Sequence, residues 1–171
     1  MVTEKTPDAI ALLKADHRKV EGLFEQFENA RGDERKRRLV AEICTELKVH
    51  TMIEEEIFYP ALRGKIANDT LDEAYVEHDG AKVLINDLGN ATPGDDYYDA
   101  KVTVLSEEIK HHVHEEEMRG EGMFAQARKT DVDLDALGVA MAARKQELLK
   151  QAKAGGLPAA KTSAVGVLVP A

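Results

Sequence analysis

Cysteine is all but missing from this 171-residue chain: Cys44 is the only one. That excludes a disulfide or a thiolate cluster within one chain, and beside Ile43 it reads as a small buried side chain. Long apolar runs are lacking too, so no stretch qualifies as a membrane span. The opening MVTEKTPDAIALLKADH has acidic residues and no uninterrupted apolar region, unlike a secretory signal, and the expected compartment is the cytoplasm. Positive charge is in deficit. A net charge of −9 describes a soluble acidic protein and argues against nonspecific attraction to nucleic acid or anionic lipid. The one basic run, Arg35 to Arg38, is a short solvated helix face. Strand-like alternation bounded by turn residues is found nowhere.

What the chain does have is helical periodicity. Its length and 43% hydrophobic content suit one domain with one sizeable core. Thr6, Pro7 and Asp8 can start a helix whose stripe runs through Ile10, Leu13, His17, Val20, Phe24 and Phe27, ending near Gly32. A second helix is expected over about 34–62, with Pro60 kinking or terminating its end. A third starts near Asn68 or Asp69 and carries Leu71, Ala74, His78, Ala81, Ile85 and Leu88. Gly80, poor for a helix interior, implies close packing or local strain. After a turn through Gly89, Asn90, Thr92, Pro93 and Gly94, a fourth helix is expected over about 95–117. Met123 and Phe124 should turn back over the bundle end. Asp131 or Asp133 can cap a short further helix to about Gln151, placing Leu134, Leu137, Met141 and Leu148 inward. The expected architecture is all-α: a four-helix up-down-up-down bundle over 8–130, an appended helix over 131–152, and a tail without fixed structure over 153–171.

Two of these helices carry the same device. Ile43, Leu47, His50 and Glu54 are spaced as are Leu105, Ile109, His112 and Glu116, so each His–Glu pair continues an apolar stripe toward the core. His17 and His78 lie on the inward stripes of the other two helices. One histidine on an apolar face is ordinarily a hydrogen-bonded core residue. Four of them with two inward glutamates are hard to satisfy by hydrogen bonds alone, and facing side chains in a bundle are a known way to hold metal. Six donors without thiolate exceed a closed structural zinc site and are too nitrogen-rich for calcium or magnesium. Two borderline metals fit, with Glu54 and Glu116 each bridging both and positions left open for water, oxygen or peroxide.

The order H, H-x-x-x-E, H, H-x-x-x-E resembles the hemerythrin-like (HHE cation-binding) family over about residues 8–130. DHRKVEGLFEQFE, HTMIEEEIFYP, EHDGAKVLI and HHVHEEE carry the likeness. The resemblance implies a non-haem diiron centre, two iron ions with an oxo or hydroxo bridge, held by His17, His50, Glu54, His78, His112 and Glu116. It implies small diatomic or peroxide ligands, while the charge and the lack of an apolar span lead to the expectation of neither nucleic-acid nor membrane partners. Members bind oxygen, sense oxygen or iron, or react with peroxide or nitric oxide. Oxygen carriers of the group have an additional histidine, and no fifth inward histidine is found here. Ala125 stands where a proline commonly follows the phenylalanine. The favoured function is therefore reaction with oxygen-derived or nitrogen-derived oxidants, through peroxide breakdown or nitric-oxide-linked peroxide reduction. The alternatives are an iron- or oxygen-sensing module or an oxygen carrier without turnover, and a structural metal.

Other polar residues have simpler expectations. His111 and His114 should face outward, with His111 and Glu115 as the alternative pair if the fourth helix were rotated. Glu21 reads as an exposed charge or as an acceptor for an imidazole N–H. Glu55 and Glu56 read as a solvated face. Tyr75, one turn before His78, either hydrogen-bonds near an open site or packs in the core.

Overall fold

The structure is a computed structural model that describes residues 6–166. The described residues form helices and no strands. Asp8 caps α1 (Ala9–Glu28), its carboxylate accepting from Ala11 N at 2.8 Å. Gly32, with φ of 85°, turns the chain into α2 (Asp33–Ile53). Next comes a π-helical turn, Glu54–Phe58, and then α3 (Tyr59–Leu62). The rod expected over 34–62 is thus present, but its register changes within it. In the widened turn Tyr59 N donates to Glu54 O, five residues back. Pro60 follows immediately in the first turn of α3, where its missing N–H is tolerated.

Helix α4 (Asn68–Gly89) starts where the sequence suggests. Helix α5 (Tyr98–Glu117) starts later than expected because Asp95 closes the preceding turn: its carboxylate accepts from Thr92 N at 2.7 Å and its own N–H donates to Thr92 O at 3.0 Å. Gly80 is not closely packed, since an added Cβ would meet only the end of the Glu108 side chain at 3.8 Å. Helices α6 (Met123–Ala127) and α7 (Leu134–Gly155) complete the order, and Asp133 caps α7 by accepting from Ala136 N. None of the described helices is long and apolar enough to cross a membrane.

The long helices pack as α1 on α2, α2 on α4, α4 on α5 and α5 on α1. Two apolar layers result. One holds Val20, Phe24, Leu47, Ala81, Ile85 and Ile109; the other holds Leu13, Ile53, Phe58, Ala74, Met123 and Met141. Helices α1, α2 and α4 each pass from one layer to the other across a histidine: Leu13 to Val20 around His17, Leu47 to Ile53 around His50, and Ala74 to Ala81 around His78, whereas α5 keeps Ile109 and Val113 in the first layer on either side of His112. A polar belt is thereby sandwiched between apolar layers.

Helix α7 lies on α1 and α2, burying Met141 and Leu148 while Leu134 and Leu137 stay half-buried. The approach is close. A Cβ at Gly138 would fall 2.3 Å from Pro7 O.

Over 157–166 the chain departs from the expected unstructured tail. Ser163, Ala164 and Val165 all donate backbone N–H groups to the Asp79 carboxylate at 2.6–2.9 Å, and Ala160 exchanges two 2.8 Å hydrogen bonds with Asn86. Asp79 is fully buried, and a buried carboxylate requires such donors. No apolar periodicity marks this segment, so its anchorage lies in α4. The remainder of the expected tail, 167–171, falls outside the described residues.

Candidate metal centre

The helical phase brings His17, His50, Glu54, His78, His112 and Glu116 together, each at most 5% exposed. The imidazoles meet in two pairs: His17 Nε2 is 3.2 Å from His50 Nε2, and His78 Nε2 is 3.2 Å from His112 Nε2. Glu54 Oε2 lies 3.2 Å from both His50 Nε2 and His78 Nε2, so one carboxylate oxygen touches both pairs. Glu116 reaches His17 Nε2 through Oε2 at 3.3 Å and His112 Nε2 through Oε1 at 3.5 Å. The ligand atoms form two groups sharing Glu54: His17, His50, Glu54 and Glu116, and Glu54, His78 and His112.

Every outward-facing ring nitrogen meets a carboxylate. His17 Nδ1 is 2.7 Å from Glu117, His78 Nδ1 2.9 Å from Glu55, His112 Nδ1 2.6 Å from Glu77, and His50 Nδ1 3.5 Å from Asp16. A carboxylate accepts, so it holds the imidazole proton on Nδ1 and turns the Nε2 lone pair inward. Four lone pairs and two carboxylates then converge in a buried belt. Glu54 Oε1 and Glu116 Oε2 are buried without a hydrogen-bond partner.

A cation resolves this arrangement. Donors bound to an ion at about 2.1 Å lie about 3.0–3.4 Å from one another, close to the contacts seen here. Without a metal the cluster gathers protons instead. Burial depresses the His17 pKa, but the close Glu116 carboxylate, with Glu54 and Glu117, outweighs burial and lifts it to about 9. Burial and the neighbouring Glu116 push Glu54 up to about 7. Burial also opposes ionisation of Glu116, yet His112 and His17 hold it below the usual carboxylate range.

Several of these partners depart from the sequence reading. Glu55 is not a solvated charge: it accepts from His78 and from the buried Lys82 Nζ at 2.7 Å, while Ser163 Oγ donates to its other oxygen at 3.0 Å. Glu56 stays exposed, as expected, and pairs with Arg144 of α7 at 2.7 Å. Glu21 is the partly exposed helix charge expected, facing Arg18, and the acceptor for His17 is instead Glu117. Asp16, directly before His17, serves His50 and is also paired with Lys145 of α7. His111 is largely exposed, as expected, with Nε2 3.2 Å from Glu115 and 3.4 Å from Glu77. Phe124 stacks on His17 with ring centroids 5.8 Å apart.

The largest omission is Tyr59. Its fully buried hydroxyl donates toward Glu116 Oε1 at 3.0 Å and lies 3.2 Å from His78 Nε2 and 3.4 Å from Glu54 Oε2. Burial, then the charges of Glu116 and Glu54, keep its pKa well above the phenol range. Tyr75 touches Tyr59 edge-on at 5.3 Å instead of reaching the cluster. In a regular α-helix Tyr59 would lie about 140° around from Glu54, and the π turn returns it to the same side. Only Pro60 hinted at that change of register.

Fold and donor set together define an all-helical cation-binding domain. The profile of the hemerythrin HHE cation binding domain matches residues 8–124, and the chain belongs to that family. A crystal structure of a hemerythrin HHE cation-binding domain-containing protein from Mycobacterium kansasii superposes with a TM-score of 0.71 at 25% identity, covering 88% of this chain and 95% of that one. A protein from Nostoc sp. (strain PCC 7120 / SAG 25.82 / UTEX 2576) described as a DNA nickase is 26% identical over 106 residues, 62% of this chain. The aligned part is only 30% of that longer relative.

Proposed function

We propose that the chain is a non-haem diiron protein that reacts with oxygen-derived or nitrogen-derived oxidants, with peroxide breakdown as the leading activity. The observation that carries this reading is the inward convergence of four Nε2 lone pairs on two carboxylates, each with a buried oxygen lacking a hydrogen-bond partner. His17 and His50 would hold one iron and His78 and His112 the other, with Glu54 and Glu116 shared. In this reading the long helices form an up-down-up-down bundle over 8–130, with α7 added to it. A bound iron pair would supply a two-electron redox change among these buried side chains.

The protein's own groups set the conditions for that chemistry. Glu117, Asp16, Glu55 and Glu77 orient the four imidazoles through their Nδ1 atoms. Tyr59 Oη holds a proton beside both carboxylates, where a small substrate needs one. Apolar layers pack on either side of these groups. No fifth inward histidine is present to saturate one metal, which supports turnover over reversible carriage.

The DNA nickase description of the Nostoc relative belongs to a protein about twice as long. A net charge of −9 supports a reading without a nucleic-acid partner. The functional test is peroxide loss and oxygen evolution by the iron-loaded protein against Glu54→Ala at equal iron content. A large loss in the variant is expected. Equal rates, or a long-lived oxygen complex released intact under vacuum, would contradict the reading.

A further inference from the structure

A second polar cluster lies outside the buried belt. His111, Glu115 and Glu77 each offer a ligand atom within 4.8 Å of the others. One imidazole and two carboxylates suit a borderline divalent cation. Glu77 joins this cluster to the inner one: Oε1 lies 3.4 Å from His111 Nε2, while Oε2 accepts from His112 Nδ1 at 2.6 Å.

Beside it opens a cavity of about 180 Å³. Its wall carries Glu73, Glu77, Glu115 and Glu121, and among the described residues no lysine or arginine lines it. Its lining also includes His112 and Glu116, the latter with its buried Oε2 lacking a hydrogen-bond partner. A carboxylate wall around a confined opening concentrates cations and repels anions. The buried donors His112 and Glu116 at its inner end then favour movement of the ion inward.

We propose that Glu77, His111 and Glu115 form an outer capture site for a divalent cation, and that the acidic cavity is the route from it to the buried centre. This rests on the reading of the inner cluster as a metal centre. The outer site binds weakly, because its histidine is largely exposed and two carboxylates are its only other donors. Its role is kinetic: it holds the ion at the mouth until His112 and Glu116 take it over.

The test mixes the metal-free full chain with Co²⁺ in a stopped-flow spectrometer and follows the cobalt d–d absorption to completion. At low cobalt and low salt, His111→Ala and Glu115→Gln should each load about tenfold more slowly than the unmodified protein. All three should reach the same final amplitude. High salt should slow the unmodified protein and shrink the difference. Charge reversal in the wall away from His111, Glu121→Lys, should also slow loading. Equal loading rates at every cobalt concentration would overturn the proposal, and so would a lower final amplitude in His111→Ala, which would make His111 an inner ligand. Full amplitude in both His50→Ala and His112→Ala would instead remove the inner centre itself, a different failure from unchanged rates with an intact centre.

Discussion

Tyr59 places its hydroxyl 3.0 Å from Glu116 Oε1, the carboxylate that spans the two histidine pairs. The relationship exists because a π turn, not an α turn, separates Tyr59 from Glu54. Tyr59→Phe removes that one oxygen from an otherwise apolar ring. Peroxide turnover at equal iron content should fall by about 10²-fold, the usual scale for losing a positioned proton donor. The melting temperature should move by only a few degrees. Unchanged turnover would reduce the hydroxyl to a packing feature.

Metal removal should destabilise the fold. Six inward donors are brought together in the belt, and an ion that binds only the folded chain adds about 4 kcal/mol at a thousandfold excess over its dissociation constant. For a chain of this size that corresponds to roughly 10 °C in melting temperature. Calorimetry of loaded and metal-free protein checks it, and coincident melting would contradict the donor placement.

Gly138→Ala should lower the melting temperature although alanine is the better helix former. The propensity gain is about 1 kcal/mol. Against it stands a Cβ 2.3 Å from Pro7 O and 2.8 Å from Asp8 C, backbone atoms at the start of α1, and overpacking of this kind costs about 1–3 kcal/mol. A stabilised variant would mean that α7 sits farther from α1 than the structure places it.

The segment over 157–166 should come free when its anchor is removed. Asp79→Ala deletes the acceptor for Ser163, Ala164 and Val165. Their amide hydrogen exchange should rise toward unprotected rates while the interior of α2 keeps its protection. Persisting protection at those three amides would place the anchorage in the Asn86–Ala160 contact.

The inward set of the long helices was legible in the sequence because a 3.6-residue period carries directly into burial. His50 and Glu54 follow from Ile43 and Leu47 in the same way that His112 and Glu116 follow from Leu105 and Ile109. Periodicity does not carry through a register change, which hides Tyr59, whereas Glu55 is engaged by His78, Lys82 and Ser163 from elsewhere in the chain. Contacts between elements were hidden for another reason. Glu117 on His17, Glu77 on His112 and Lys145 on Asp16 depend on which helices become neighbours, a long-range property with no local trace. The backbone donors on Asp79 come from residues with no pattern of their own.

The central claim is that the two histidine pairs and their shared carboxylates hold two iron ions, and it is tested most directly by an iron count with an ultraviolet-visible spectrum on the purified protein. The expected result is about two irons per chain, with near-ultraviolet charge-transfer bands that a filled-shell ion such as zinc cannot give. About one iron per chain, or a chain saturated with zinc that shows no such bands after iron reconstitution, would contradict it.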